Sequence, residues 1–531
     1  MKKMLEKHGK VGLIGCGLSL LGIILMIVSV FLESGEAKMD PKMIVAVLGF
    51  LSFLIGGLMA AFKAEEHRTF KLLGVIFLTG FIATWVFPYG QFSGIDFYNY
   101  EMNRVGFSDI PTTIYYAIYF SIDKIVYLFL VAGFYGVLTK VPGYQKLVQS
   151  LAKKLKKHEI ITAVIISFII VALTAFFSQT FAMLLIVPFF VSILMSMKID
   201  KLTTFAITFG SILIGILGAI YGTDSLGYFN QYLNQEVTVA LTYRVIIAFV
   251  AFFLYNFFIC MRLKKVLKEK PSNEEIEDIA FVTEPTKAKT SIIPISIVLG
   301  LLLVIIVLGF VDWNAYFGIT VFDDFHKWLT ELTIGEDFTV FASLLGSNAT
   351  AFGKFDLLGI SIIITIFGSL IAFLYRVKLA DYLEAFYNGM KKMFKPALYF
   401  IMIYAIFAIC YLSPFMATFS NWAFNLVDGL NPFIASIVAF ITSIFQADLG
   451  YTAYNVGGFL TAAYAENFTV VHAIYTSMYG LVQVLMPTGC ILLIGLGLMK
   501  VDYKSWFKYI WLFVVGMLII LLVLFTVLTY I

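Results

Sequence analysis

The chain interrupts its own membrane-length apolar runs four times, and the interruptions fall into two matching pairs. The first pair lies at Ser178-Gln179-Thr180 and Tyr221-Gly222-Thr223-Asp224, the second at Gln446-Ala447-Asp448 and Met486-Pro487-Thr488-Gly489. Amides and carbonyls released from a helix find no water in hydrocarbon, so non-helical backbone at membrane depth must be buried in protein or line a cavity. One such pair in each half is the pattern of a transporter whose site lies near the bilayer midplane.

Of the 531 residues, 61% are hydrophobic and 13% charged, and the mean hydropathy is +0.94. That balance excludes a water-soluble domain of this length. Strand alternation is absent, so the chain reads as an all-α polytopic membrane protein. The clearest spans are expected near 11–32, 43–62, 70–87, 115–138, 159–177, 240–261, 291–311, 356–375, 396–413 and 508–530, with broken segments at 178–224 and 432–500. The first run, preceded by Lys2, Lys3, Lys7 and Lys10, is too long for a signal-peptide core and reads as an uncleaved span. Cys16, Cys260, Cys410 and Cys490 have no CxxC spacing and read as packing residues. The five histidines are scattered, which argues against a metal site. A nucleophile elbow and a P-loop are both missing, so an enzyme is not expected and Na+ or H+ gradients, or exchange, become the energy source.

The net charge of +4 sits in short loops, where it bears on orientation rather than on nucleic acid. Lys140, Lys146, Lys153, Lys154, Lys156 and Lys157 crowd one loop, and Arg262, Lys264, Lys265, Lys268 and Lys270 open another; both are expected in the cytoplasm. Acid-rich loops at 89–114 and 312–337 belong outside. The N-terminus is then cytoplasmic and the C-terminus extracellular. Residues 262–290, with Pro271, Pro285 and the acidic run Glu274 to Asp278, read as a mobile linker. The turn between the first two breaks carries Lys198 and Lys201, whereas its counterpart at 465–467 carries Glu466. The two units are therefore expected to be inverted relative to each other.

Asp224 and Asp448 are the most informative single residues, because an intramembrane carboxylate needs a cation, water or a partner. Against that stands a plainer reading, in which Asp224 opens a loop and Asp448 caps a helix. Gly222, Gly450, Pro487 and Gly489 loosen the backbone, and Thr223 and Thr488 supply hydroxyls for freed groups, although a proline kink with close packing would use the same residues. Ser178, Gln179, Thr180, Gln446, Tyr451 and Asn455 add neutral donors and acceptors that could equally join helices. Asp123, Lys124 and Arg244 lie near the starts of spans, where snorkelling or local pairing is favoured. His472 reads as a satisfied polar residue rather than a proton relay.

The run VYLFLVAGFYGVLTKVPGY at 126–144, TWVFPYGQF at 84–92, the segment at 382–396 and the closing run from Met486 to Trp511 together resemble the YfcC-type carriers. These are relatives of the anaerobic C4-dicarboxylate carriers in the ion transporter superfamily. The resemblance covers roughly 69–531 and leaves two added helices in front. It implies two inverted repeats with re-entrant hairpins, a dimerising scaffold, elevator-like alternating access, and transport of amino acids, including arginine/ornithine exchange, or small carboxylates. The chain departs from the family at Phe181-Ala182, Gly222-Thr223-Asp224 and Ala447-Asp448-Leu449-Gly450, and keeps Pro487-Thr488.

The resulting expectation is a multi-pass carrier of a bacterial inner membrane, a homodimer with no nucleic-acid partner. Its units are residues 1–68 (two extra helices), 69–262 (first repeat), 263–290 (linker) and 291–531 (second repeat). Gly222, Thr223 and Asp224 would face Asp448, Gly450 and Thr488, with Gln179 and Gln446 nearby, and Asp224, Asp448, Thr223 and Thr488 would hold the coupling cation. The substrate is expected to be an amino acid, preferably zwitterionic or basic. The alternative is a non-transporting receptor or scaffold that retains the fold.

Overall fold

Among the described residues, ten helices are long and apolar enough to cross a membrane, or eleven with a bent pair counted as one span. The computed structural model describes residues 2–33, 40–177, 180–221, 225–268, 279, 281–283, 285–334, 338–346 and 350–530. Helices α1 (Lys2–Phe31) and α2 (Pro41–Phe62) form a pair, and Asp40 starts α2 by accepting the Lys42 amide at 3.0 Å. α3 (Arg68–Val86) leads to a short antiparallel ribbon, β1 (Gly90–Ser93) with β2 (Asp96–Asn99).

α4 (Ile110–Tyr119) and α5 (Ile122–Leu138) meet at 57°, so the single span expected over 115–138 is bent. Ser121 accounts for the bend. Its amide reaches back only to Ile118 O at 3.1 Å, while its hydroxyl takes Ala117 O at 2.6 Å.

The first unit follows the surface helix α6 (Pro142–Leu155). It comprises α7 (Glu159–Phe177), α8 (Met183–Ser196), α9 (Lys201–Phe205), a π turn at Ala206–Gly210, α10 (Ser211–Leu217), α11 (Ser225–Tyr232) and the closing helix α12 (Leu241–Lys268). The π turn leaves the Ala206 carbonyl to the Tyr255 hydroxyl at 2.7 Å. α13 (Ile293–Phe310) opens the second half. The short helices α14 (Trp313–Phe317), α15 (Val321–Glu331) and α16 (Val340–Leu345) lead to α17 (Leu357–Leu374), α18 (Leu379–Leu412) and α19 (Phe415–Phe424). α20 (Pro432–Phe445), α21 (Leu449–Ala463), α22 (Phe468–Leu485), α23 (Cys490–Met499) and α24 (Tyr503–Tyr530) then repeat the order of the first unit.

The turns of the two units lie at opposite ends of the molecule. Asp200 caps α9 and pairs with Arg262 at 2.8 Å, which places the first turn at the basic end of α12. The second turn follows α21, whose Phe459 packs on Phe92 of β1 with ring centroids 4.9 Å apart. The halves cross where α5 meets α18: a Cβ on Gly136 would lie 2.3 Å from Ala385 O, and one on Gly389 2.2 Å from Ala132 O. Only glycine lets the two backbones touch there.

Two expectations need correction. α18 begins at Leu379 rather than near 396, because its first turns carry Asp381, Glu384, Lys391 and Lys392 and therefore lack membrane hydropathy while remaining helical. The linker is packed at its far end: Ile279 and Phe281 are each 1% exposed, and Phe281 meets the Tyr135 ring at 5.4 Å. Its carbonyl takes the Ser192 hydroxyl. The acidic run ahead of it, 274–278, lies outside the described residues.

Candidate functional site

All four interruptions are present, and each satisfies its freed backbone differently. In the first unit α7 ends at Phe177 and α8 resumes at Met183, while α10 ends at Leu217 and α11 starts at Ser225. These two breaks bind one another. The Ala175 carbonyl accepts the amides of Ile220 and Tyr221 at 2.7 and 3.2 Å. Tyr127 and Tyr135 of α5 donate to Ala182 O and Leu185 O at 3.2 and 2.6 Å, fixing the start of α8.

In the second unit Asp448 caps α21, its Oδ1 accepting the Gly450 amide at 2.8 Å. Among the described residues no donor is bonded to its other oxygen. At the fourth break the proline ends α22, and two of its last carbonyls pass to α24: Tyr503 Oη donates to Leu485 O at 2.6 Å and Trp506 Nε1 to Val484 O at 2.9 Å. Tyr479 spans the units, donating to Ala447 O at 3.1 Å and lying 3.3 Å from the Ser225 hydroxyl.

The four breaks converge on one cavity of about 80 Å³. Thr180 and Phe181 enter from the first, Ala219 and Ser225 from the second, Ala447 and Asp448 from the third, and Cys490 from the fourth. Lys124 and Tyr404 close it from α5 and α18. The Lys124 ammonium pairs with exposed Asp123 at 3.1 Å, stands 6.0 Å from the Tyr404 ring centroid and acts electrostatically on the half-buried Asp448 carboxylate. The N-termini of α21 and α23 also point positive ends at this space. A vestibule of about 500 Å³ shares Lys124, Phe181 and Tyr228 with the cavity and is bordered by Asp123, Asp312, Lys354 and Asp356. At its rim Lys354 donates to Asp323 at 2.6 Å, which holds that carboxyl below its ordinary range.

Ser178, Gln179, Gly222, Thr223 and Asp224 lie outside the described residues. Of the remaining candidates the structure brings Thr180 and Asp448 to the cavity itself. Gln446, Thr488, Pro487 and Gly489 form the buried backbone of the third and fourth breaks. Gln446 Oε1 accepts the Thr452 hydroxyl at 2.7 Å, whereas Gln446 Nε2 and Thr488 Oγ1 have no hydrogen-bond partner. Gly450 allows close packing, since a Cβ there would sit 2.7 Å from that of Tyr228. Tyr451 and Asn455 stand apart from the cavity: the tyrosine hydroxyl donates to Cys410 O at 3.0 Å, and the asparagine amide to Tyr451 O at 3.1 Å within the same helix.

Lys124 and Gln483 are the site residues that sequence reasoning missed. Gln483 is 2% exposed, lines the cavity and has an unpartnered amide nitrogen. An isolated glutamine four residues before Pro487, and a lysine just past a serine in an apolar run, were the available signals. His472 is held by Asn230, with Nε2 2.7 Å from Oδ1 across the two units. Arg244 does not snorkel. It is 2% exposed, and one guanidinium nitrogen donates to Val237 O.

A family model described as DcuC, C4-dicarboxylate anaerobic carrier, matches residues 67–530, beginning where the two leading helices end. No curated protein matches the chain. Among solved structures, that of the Alcanivorax borkumensis YdaH transporter is similar at 12% identity and a TM-score of 0.40, over 87% of this chain and 98% of that one.

Proposed function

The chain belongs to the C4-dicarboxylate anaerobic carrier family, and on that premise we propose a secondary active transporter of the YfcC type that moves an amino acid or related small carboxylate by alternating access. One observation carries the reading: among the described residues one ammonium, Lys124, and one intramembrane carboxylate, Asp448, share a cavity on which all four interruptions converge. Charges in a low-dielectric site must be matched. A zwitterion meets both groups, its carboxylate replacing exposed Asp123 at Lys124 and facing the half-helix N-termini, its ammonium at the free oxygen of Asp448. A dicarboxylate instead sets two negative charges against one lysine and a third negative charge, and needs Na+ or H+ at Asp448 to enter.

The vestibule opens toward the acid-rich loops, and the basic loops mark the opposite face as cytoplasmic. That orientation puts the N-terminus inside and the C-terminus outside a bacterial inner membrane, and makes this arrangement outward-facing. Return to the cytoplasm would carry the broken-helix units past a dimeric scaffold built around the α5–α18 crossing.

Reconstituted protein, assayed for gradient-driven uptake of arginine, ornithine, neutral amino acids and C4-dicarboxylates, tests the proposal. Uptake of an amino acid is the expected result. Uptake restricted to dicarboxylates would overturn the substrate assignment, and ligand-induced stabilisation without flux would overturn transport.

A further inference from the structure

A second cavity, of about 610 Å³, lies at the basic end of the molecule, where α5, α6 and α8 end against the far part of the linker. Lys140, Lys153, Lys156, Lys198 and Lys392 line it, and among the described residues no acidic side chain does. Lys140, Lys153, Lys156 and Lys198 alone set four like charges around one space, which favours the entry of an anion. Two neutral groups lack partners at the same place. Thr283 is 7% exposed with an unpartnered hydroxyl, and the buried Gln149 amide nitrogen has no acceptor; both line the cavity. Buried polar groups are rarely left unbonded, so these are donors waiting for oxygen.

The wall carrying Thr283 is anchored rather than draped, since Phe281 is buried beside Tyr135 and Lys146 donates to Thr290 O at 2.6 Å. A third cavity, of about 330 Å³ and almost wholly apolar, is bounded by the same α5, α6 and α8 together with α13, through Phe134, Leu138, Leu185, Phe189, Leu299 and Leu303.

We propose that the basic cavity binds the phosphate of an anionic phospholipid, whose acyl chain occupies the neighbouring apolar cavity. Lysines at the cytoplasmic boundary are the ordinary means of holding such head groups, and the apolar cavity favours a lipid over a free phosphate ion. The ligand would tie the linker to the first half of the chain.

Full-length protein in nanodiscs of neutral phosphatidylcholine, titrated with phosphatidylglycerol or cardiolipin, tests this, with retained lipid counted by native mass spectrometry. The wild type is expected to prefer anionic lipid by about tenfold or more. The preference should vanish when Lys140, Lys153, Lys156 and Lys198 are all changed to Gln, and persist when Lys268, Lys289, Lys378 and Lys508 are. Thr283→Val guards against misfolding. With no ligand, loss of an unbonded buried hydroxyl is harmless to the fold, so a weakened lipid preference at unchanged thermal stability supports the site. Equal lipid retention in the two lysine variants would overturn the proposal. So would protection of the wild type by inorganic phosphate with no lipid preference, which reassigns the cavity to a soluble anion.

Discussion

The two broken-helix units share one plan but close their breaks by different chemistry. In the first, backbone answers backbone: Ala175 O takes the amides of Ile220 and Tyr221, joining both interruptions directly. In the second, side chains do the same work, with Asp448 capping α21 and Tyr503 and Trp506 receiving the carbonyls that α22 gives up. The described part of the first unit is thus a shaped wall. Among the described residues, the second unit holds the polar groups that can change partners: the free Asp448 oxygen, the unpartnered amide nitrogens of Gln483 and Gln446, and the Thr488 hydroxyl. Recognition and coupling should therefore be more sensitive to substitution in the second unit than in the first.

The largest effect is expected from Asp448→Asn. Asparagine caps a helix as well as aspartate, so the start of α21 survives while the charge disappears. Gradient-driven uptake should be lost with thermal unfolding of the purified protein unchanged; retained coupling would remove Asp448 from its role.

Lys124→Gln comes next. Loss of a charge-assisted hydrogen bond of about 1.5–3 kcal/mol should raise the KM for a carboxylate-bearing substrate roughly ten- to a hundredfold, measured by uptake kinetics, with Lys124→Arg restoring part of it. An unchanged KM would place the carboxylate elsewhere.

Tyr503→Phe probes the scaffold of the second unit rather than its chemistry. It strands the Leu485 carbonyl and should destabilise the protein by about 1–3 kcal/mol in denaturant titration, with a smaller change in KM than Lys124→Gln.

Gln483→Leu should weaken binding by roughly threefold without loss of stability, because the amide nitrogen it removes has no partner to lose. Thr180→Val, from the first unit, should alter KM less than Gln483→Leu does. Equal or larger loss in the Thr180 variant would erase the distinction between the units.

The interruptions were legible because their cause is local. α20 stops before Gln446 and α22 before Met486-Pro487, each where polar or helix-breaking residues invade an apolar run. Inversion was legible from Lys198 and Lys201 against Glu466. That the breaks face one another was expected too; which side chains from neighbouring helices close the space was not, because those contacts are tertiary. Lys124 reads as a span's entrance until a bend at Ser121, with no glycine or proline to announce it, turns that entrance into a wall of the cavity. Tyr451 and Asn455 erred the other way, since polar residues beside a break can be satisfied by their own helix or its neighbour. Lysines read only as markers of sidedness turn out to enclose a space.

The most direct test is an experimentally determined map of the protein with its transported substrate bound. Density is expected between the Lys124 ammonium and the Asp448 carboxylate, at the meeting of the four breaks. Substrate density remote from both groups, or unbroken helix through 446–448 and 486–489, would contradict it.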